Sequence, residues 1–192
     1  MRLMVTRVAV TRVTMAAMGW IILLYRLPPN DSRARVAVWR ELRRSGALHV
    51  QQSVVAVPDH EVFTGVVERL REVLAEVNGQ VTALRTQPMD GGDDGRLLEA
   101  WNAAREAEYR ELAGECAKFL AEIDHEFEIE KFTLAELDEE EAELEKLQRW
   151  HERIGRLDLH GAAGAEAAGR VVREAEEALA RYSAEVFERT QP

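Results

Sequence analysis

Apolar positions in the first half of the chain alternate between short strand-like runs and helical stripes. The run from Gly19 to Tyr25 is apolar throughout and is followed by Pro28 and Pro29, which is typical of a central strand buried on both faces. A helix, two strands, a second helix and a last strand are then predicted at 32–45, 47–51, 53–57, 59–77 and 80–86. This β-α-β-β-α-β order predicts an α+β fold, with a ferredoxin-like sandwich over residues 19–88.

Local signals mark the ends of several of these elements. Asn30, Asp31 and Ser32 are N-cap candidates for the first helix, and Gly46 occupies the C′ position, where a left-handed backbone commonly ends a helix. The two middle strands are predicted to meet in a tight turn at Gln52 and Ser53, although this turn lacks the Gly or Asn that usually favours a hairpin.

The second half of the chain has helical periodicity. Residues 89–95 are rich in Asp and Gly and are predicted to form a linker, and residues 96–192 form a helical region. Apolar residues there recur three, four or seven positions apart. Thr133 with Glu136 makes a capping box for the second of the three helices in this region. These patterns predict a three-helix antiparallel extension with coiled-coil packing.

Residues 1–18 carry three arginines and no acidic residue, and we predict that they form an N-terminal tail. A signal peptide would need a small-residue cleavage site after the apolar run 13–25, where Arg26 stands instead. The same run is too short for a membrane span. A translation start at Met15 or Met18 would account for the tail. We therefore expect a cytoplasmic protein without membrane contact.

Charge is distributed unevenly along the sequence. The chain has 192 residues, of which 46% are hydrophobic and 31% charged, and its formal net charge is -10. Residues 1–58 nevertheless contain nine arginines and two acidic residues, whereas residues 59–192 contain 16 basic and 33 acidic residues. A basic block of this kind suits an anionic partner. The alternative is that the two blocks contact each other, within one chain or across a homodimer.

The sequence contains no motif of a known catalytic or metal site. Its single cysteine, Cys116, excludes a disulfide framework and falls on an apolar helix stripe, so we predict a core residue. Asp90, Asp93 and Asp94 lack the spacing of a calcium loop. Phosphate-binding glycine loops and nucleophile elbows are also absent from the sequence. We therefore expect no enzymatic activity, no metal and no cofactor.

The first predicted helix contains five arginines. At about 100° per residue, Arg33, Arg40 and Arg44 lie within an arc of about 40°, with Arg43 beside them. Guanidinium groups in such a row can follow a phosphate backbone, because their donors match phosphate oxygens. The alternative is a solvated helix face. The residues predicted on the opposite, apolar face are Val38, Trp39 and Leu42.

Arg35 differs from the other four arginines because its direction falls inside the apolar arc of the helix. A buried guanidinium needs an acidic partner or a bound anion. The alternative is that Arg35, which lies in the first turn, extends its charged group out to solvent.

Five segments of the chain together carry a family resemblance. They are Trp20–Pro28, Ser32–Ala47, Val54–Pro58, Phe132–Leu137 and Leu147–Ile154. These segments are similar to the N-terminal domain of ChrB, the chromate-resistance regulator. The resemblance covers residues 19–190 and consists of moderately specific residues without a catalytic signature.

The resemblance implies a DNA-associated regulator of a chromate efflux operon that responds to chromate or sulfate-like oxyanions. It also implies that the basic first helix contributes to DNA contact. On this sequence the residues with that role are Arg33, Arg35, Arg40, Arg43 and Arg44. Longer ChrB proteins have a further C-terminal domain, whereas this chain ends at Pro192. If that domain carries part of the oxyanion response, this chain is expected to bind DNA or a partner without sensing chromate.

The sandwich also resembles small CRISPR-associated nucleases and PaaX-type regulators, which pair their sheets in homodimers. Arg26 stands where such a nuclease has an acidic residue, so nuclease activity is not carried over. The leading hypothesis is a homodimeric regulator that binds DNA through the arginines of the first helix. The second is a protein-interaction or dimerisation module without DNA binding, and the third is an enzyme acting on nucleic acid.

Overall fold

The computed structural model describes residues 19–29 and 31–190, so the predicted tail 1–18 lies outside the described residues. A four-stranded antiparallel sheet combined with several helices confirms the predicted mixed α+β class. The first lobe comprises β1 (Trp20–Arg26), α1 (Ser32–Arg44), β2 (Leu48–Gln51), β3 (Val54–Pro58), α2 (Thr64–Glu76), which a short 3₁₀ turn (Glu61–Phe63) precedes, and β4 (Gln80–Thr86). The second lobe comprises α3 (Gly91–Glu128), α4 (Leu134–Leu157) and α5 (Ala165–Thr190).

The strands are ordered β2-β3-β1-β4, and every neighbouring pair is antiparallel. Ile21 and Leu23 of β1 pair with Val57 and Val55 of β3, and all four side chains lie on one face of the sheet. They are buried because α1 and α2 pack against that face. The expectation that β1 is buried on both faces holds only at Trp20, since Leu24 on the opposite face is 41% exposed.

The connection between β2 and β3 is the tight turn that the sequence predicts. β2 ends at Gln51 and β3 begins at Val54, and Ser53 between them has a φ of 63°. Ser53 thus adopts the left-handed backbone that Gly or Asn adopts with less strain. Its carbonyl accepts a hydrogen bond of 2.9 Å from the Tyr25 backbone amide, which ties the turn to β1.

The opposite face of the sheet is covered at one end. Trp20 is fully buried there, because its indole packs edge-on against Trp101 of α3 and donates a hydrogen bond of 3.2 Å to Asp94 Oδ1. Farther along the same face, Leu24 and Leu84 are 41% and 48% exposed. An apolar strip of the sheet therefore faces solvent.

Helix α3 begins at Gly91, inside the segment that the sequence predicts to be a linker. The Asp90 carboxylate accepts hydrogen bonds from the amides of Gly92 and Asp93 at 2.8 and 2.9 Å, and so caps the helix. Asp93 and Asp94 in the first turn also interact favourably with the helix dipole. The segment 89–95, which is predicted to be a linker from its Asp and Gly content, therefore contains the N-cap and the first turn of α3.

Helices α3 and α4 contribute to the cores of both lobes. In α3, Trp101 belongs to the core of the first lobe, whereas Leu112 belongs to the core of the second. Likewise α4 places Leu157 in the first core and Ile154 in the second. The two lobes are therefore joined by continuous helices as well as by contacts between side chains.

The contact between the lobes centres on Gly46, which follows α1. The Arg105 side chain of α3 is 3% exposed and donates from Nη1 and Nη2 to the Gly46 carbonyl, each at 3.3 Å. Its guanidinium lies 4.6 Å from the Trp101 ring centroid, a cation–π geometry. Gly46 has the positive φ predicted for its C′ position, 66°, and a Cβ there would lie 2.5 Å from Arg105 Nη1. Glycine is therefore required here by both backbone conformation and packing.

Candidate nucleic-acid interface

Helix α1 is held by one apolar buried stripe, and Glu41 beside this stripe is also buried. Ala34, Val38 and Leu42 form this stripe and are at most 1% exposed. The Asp31 carboxylate accepts a hydrogen bond of 2.9 Å from the Ala34 amide and caps the N-terminus. Two arginines in the last turn interact favourably with the negative end of the helix dipole.

The five arginines predicted to contact DNA are all exposed on α1. They are Arg33, Arg35, Arg40, Arg43 and Arg44. Among the described residues, the first three have no ion-pair partner, so their guanidinium groups are directed at solvent. The outer surface of α1 is therefore strongly basic.

The remaining two α1 arginines form surface ion pairs. Arg43 lies 3.7 Å from Glu111 of α3, and Arg44 lies 3.4 Å from Glu41 one turn earlier on α1. Both side chains of the Arg43–Glu111 pair are more than half exposed, so this pair contributes little to stability, whereas the Glu41 side chain beside Arg44 is only 9% exposed. Arg43 can therefore exchange its partner for a phosphate group without disturbing the fold.

The sequence leaves open whether the Arg35 guanidinium is buried beside an anionic partner or extends to solvent. In the structure the Arg35 side chain is exposed and extends to solvent. Its place in the first turn allows the side chain to leave the apolar arc. There it lines a shallow cleft with Arg26, Trp39 and Ser53 of the β2–β3 turn. No described acidic residue lines this cleft, so it is a basic extension of the outer face of α1.

Trp39 is 51% exposed, so the prediction that it lies on the buried face is wrong. The buried stripe of α1 is narrower than the apolar arc of the sequence, and Trp39 lies outside it. The Arg43 guanidinium lies 5.4 Å from the Trp39 ring centroid, and Arg35 lies one turn before Trp39. An exposed aromatic ring among arginines adds apolar and cation–π contact area to a basic surface.

A second basic surface lies where α4 meets the first lobe. A cleft of about 670 Å³ is lined there by five arginines from three helices, while Glu41 is the acidic residue of its described lining. Buried Phe63 and Leu157 form an apolar part of its wall. We name this site the junction cleft, and its arginines are Arg44, Arg69, Arg149, Arg153 and Arg156.

Three arginines of the junction cleft come from one face of α4. Arg149, Arg153 and Arg156 are separated by four and three positions, a spacing that aligns side chains on one side of a helix. The same spacing rule predicts the arginine row of α1 from the sequence, and it could also have predicted this arginine row on α4. The cleft itself escapes sequence-based prediction, because the docking of α4 against α1 and α2 is a tertiary contact.

The cleft arginines differ in how firmly they are held. Arg69 pairs with Glu72 and Arg149 with Glu145, both at 2.9 Å and on exposed helix surface. Within the described chain, Arg156 has no ion-pair partner. Surface pairs of adjacent helical turns contribute roughly 0.3–0.5 kcal/mol, so these guanidinium groups are available to an external anion.

Arg153 connects the cleft to a network of charged side chains that is not part of the cleft lining. Glu108 lies 3.3 Å from Arg105 and 3.7 Å from Arg153, and it therefore links the buried arginine to the cleft. Burial lowers the pKa of Arg105, with Glu108 opposing and Arg153 adding to this effect. Tyr109 donates a hydrogen bond of 3.4 Å to Asp158, and burial followed by this carboxylate raises the Tyr109 pKa to about 12.

Other chemistry is sparse in the described residues. Within residues 19–29 and 31–190, no group of three or more His, Cys, Asp or Glu side chains is arranged to hold a metal ion. Cys116 is fully buried, as its place on the apolar stripe predicts, and burial raises the pKa of its thiol. In the same residues, no helix combines the length and apolar character needed to cross a bilayer.

Comparison with known proteins gives a family for this arrangement. Residues 35–192 match the family described as Protein ChrB, N-terminal, which includes most of α1, all of α2 and the second lobe. Protein ChrB of Cupriavidus metallidurans is 28% identical over 135 residues, a stretch that covers 70% of this chain and 37% of that relative. The matched part is thus well under half of the relative's length. The chain belongs to the ChrB N-terminal domain family.

Proposed function

We propose that this protein is a chromate-resistance regulator that binds DNA through the outer face of α1. The observation that carries this function is the group of five exposed arginines around the exposed Trp39. Membership of the ChrB family supports the connection with chromate resistance. The partner is duplex DNA, contacted mainly at its phosphates.

Guanidinium groups suit this partner because their planar set of donors matches two phosphate oxygens at once. Arg33, Arg40 and Arg44 form a row about 16 Å long, given the rise of an α-helix. Each phosphate that the row neutralises releases counterions, so affinity falls steeply as salt rises. Contacts of this kind orient a protein on DNA without reading its sequence.

The test compares the wild-type protein with an Arg40→Ala/Arg44→Ala variant. Binding to a double-stranded DNA fragment of about 30 base pairs is measured by gel shift at salt concentrations from roughly 50 to 200 mM. We expect the variant to lose about tenfold in affinity and the slope of log K against log salt to fall by about 2.

A charge-matched control is available on α5. Arg170→Ala/Arg181→Ala removes two exposed arginines from a helix outside the basic surface, and we expect it to bind like wild type. An α1 variant that binds as tightly as wild type would overturn the arginine assignment. A wild-type protein that binds no DNA at low salt would overturn DNA binding itself.

In this function the first lobe is a ferredoxin-like sandwich and the second lobe is an antiparallel coiled-coil extension. The β-α-β-β-α-β element order and the strand order β2-β3-β1-β4 support the first assignment. Short connections between α3, α4 and α5 support the second. The protein acts in the cytoplasm as a homodimer without enzymatic activity, and chromate or a sulfate-like oxyanion is its effector.

A protein-interaction or dimerisation module without DNA binding is the second candidate function. It is favoured by the apolar strip of the sheet, where Leu24 and Leu84 are exposed beside Ile22. Light scattering with and without DNA distinguishes the two functions. A stable dimer whose mass does not change when DNA is added at low salt favours the module, whereas a rise in mass favours the regulator.

A further inference from the structure

We propose that the junction cleft binds the phosphate backbone of the same DNA that α1 contacts, so that the second lobe supplies part of the DNA-binding surface. This inference rests on the proposed function and extends it to a region that is acidic overall. Four of its five arginines come from α2 and α4, whereas the interface predicted from sequence lies on α1 alone.

The balance of charge in the junction cleft favours an anionic ligand. Five guanidinium groups line it, and its described carboxylate, Glu41, is 7% exposed and already lies beside Arg44. Arg156 has no ion-pair partner among the described residues. The partners of Arg69 and Arg149 lie on their own helices and on exposed surface, so phosphate oxygens can replace them at little cost.

The position of the cleft favours DNA over a small separate ligand. Arg44 belongs both to the row along α1 and to the lining of the cleft, so the two basic surfaces are continuous. The cleft has a volume of about 670 Å³ and opens to solvent, so a phosphate group of a larger molecule can approach its arginines. The apolar wall at Phe63 and Leu157 lowers the local dielectric and strengthens the attraction of the arginines for phosphate.

The buried network beneath the cleft holds this geometry. Glu108 fixes Arg153, which is 26% exposed, while Arg105 anchors α3 to the end of α1. Arg149 and Arg156 lie on either side of Arg153 along the same face of α4 and are exposed. These two residues can therefore be substituted without breaking the contact between the lobes.

The experiment measures DNA affinity of an Arg149→Ala/Arg156→Ala variant over the same salt series, with Arg170→Ala/Arg181→Ala as the control. We expect about tenfold weaker binding than wild type and a salt slope smaller by about 2, with unchanged thermal unfolding. An Arg149→Lys/Arg156→Lys variant keeps both charges and is expected to keep the wild-type slope. This second variant separates loss of phosphate contacts from a structural effect.

The outcomes separate this inference from the function on which it rests. If wild type binds DNA and the Arg149→Ala/Arg156→Ala variant binds equally well, the cleft assignment is overturned and the α1 interface stands. If the lysine variant shows the same reduced slope as the alanine variant, the phosphate role is also overturned. A variant that loses binding of a polyglutamate peptide but keeps binding of DNA would assign the cleft to an acidic protein instead. Absence of DNA binding by wild type overturns the proposed function and this inference together.

Discussion

The two ends of α4 carry opposite charge and present it in opposite ways. The helix has 24 residues and is about 36 Å long. Near its start, Glu136 and Glu140 point toward the bundle of the second lobe, whereas near its end Arg149, Arg153 and Arg156 line an open cleft. Both ends suit the helix dipole, which favours acidic groups at the N-terminus and basic groups at the C-terminus. The net charge of -10 therefore does not decide which partner each surface can bind.

At the acidic end, the carboxylates are crowded and partly withdrawn from solvent. Glu126 and Glu140 are 2% and 8% exposed, and Lys131 lies 3.6 Å from Glu126 and 2.6 Å from Glu136. Burial, and then the neighbouring carboxylate of Glu122, raise the pKa of Glu140 to about 7. The ionised carboxylate of Glu140 thus costs stability, whereas the exposed charge at the basic end is available for binding.

The largest expected effect concerns Arg105, a buried arginine of α3 that is linked to Arg153 at the basic end of α4 through Glu108. Arg105→Ala leaves the Gly46 carbonyl without its donor and leaves Glu108 with only the more distant Arg153. Because the Glu108 carboxylate and the Gly46 carbonyl then lose their buried cationic partner, we expect a loss of about 3 kcal/mol in the free energy of unfolding. Urea denaturation followed by circular dichroism measures this.

The control for this change lies on the same helix. Arg110 is exposed on α3, so Arg110→Ala is expected to change the free energy of unfolding by less than about 0.5 kcal/mol. A loss below about 1 kcal/mol for Arg105→Ala would mean that the lobes are held together by their apolar contacts alone.

The next effect tests the acidic end. Since the folded-state pKa of Glu140 lies above its ordinary value of 4.5, its ionised form destabilises the fold above pH 7, and this penalty disappears as the pH falls. Glu140→Gln should therefore raise the free energy of unfolding by about 2 kcal/mol at pH 8, and the difference should vanish near pH 4. Denaturation across this pH range gives the profile.

The neighbouring exposed residue provides the comparison for this pH profile. Glu139→Gln removes the same charge from solvent-facing surface, so we expect no pH-dependent change in stability beyond about 0.5 kcal/mol. A Glu140→Gln protein that is less stable than wild type at pH 8 would contradict the destabilising role of this buried carboxylate.

Features that depend on local sequence are predicted from the sequence, whereas features that depend on tertiary contacts are not. Local signals predict the elements well, and the positive φ at Gly46 and at the Ser53 turn is found where the sequence predicts a helix end and a tight turn. Periodicity predicts the exposed row of Arg33, Arg40 and Arg44 but not the exposure of Trp39, since the width of a buried stripe depends on what packs against it. The junction cleft requires three helices distant in sequence to meet, which no local pattern contains.

The smallest expected effect asks whether the acidic end weakens DNA binding at the basic end. Asp138→Asn/Glu141→Gln removes two exposed charges that lie between about 12 and 27 Å along α4 from Arg149 and Arg156. At 0.15 M salt the Debye length is about 8 Å, so the repulsion is screened and affinity should rise by less than about 1.5-fold. At 0.01 M salt the Debye length is about 30 Å, and the gain should grow to about threefold.

Gel shift at both salt concentrations measures these gains against the tenfold loss expected for Arg149→Ala/Arg156→Ala. A gain above about fivefold at 0.15 M salt would mean that the acidic end lies against the bound DNA, because screening leaves only close charges effective at that ionic strength. The expected small gain instead implies that separation along one helix is enough to keep an acidic bundle and a polyanion compatible. In that case the DNA-binding surface depends on the placement of a few arginines and not on the net charge of the second lobe.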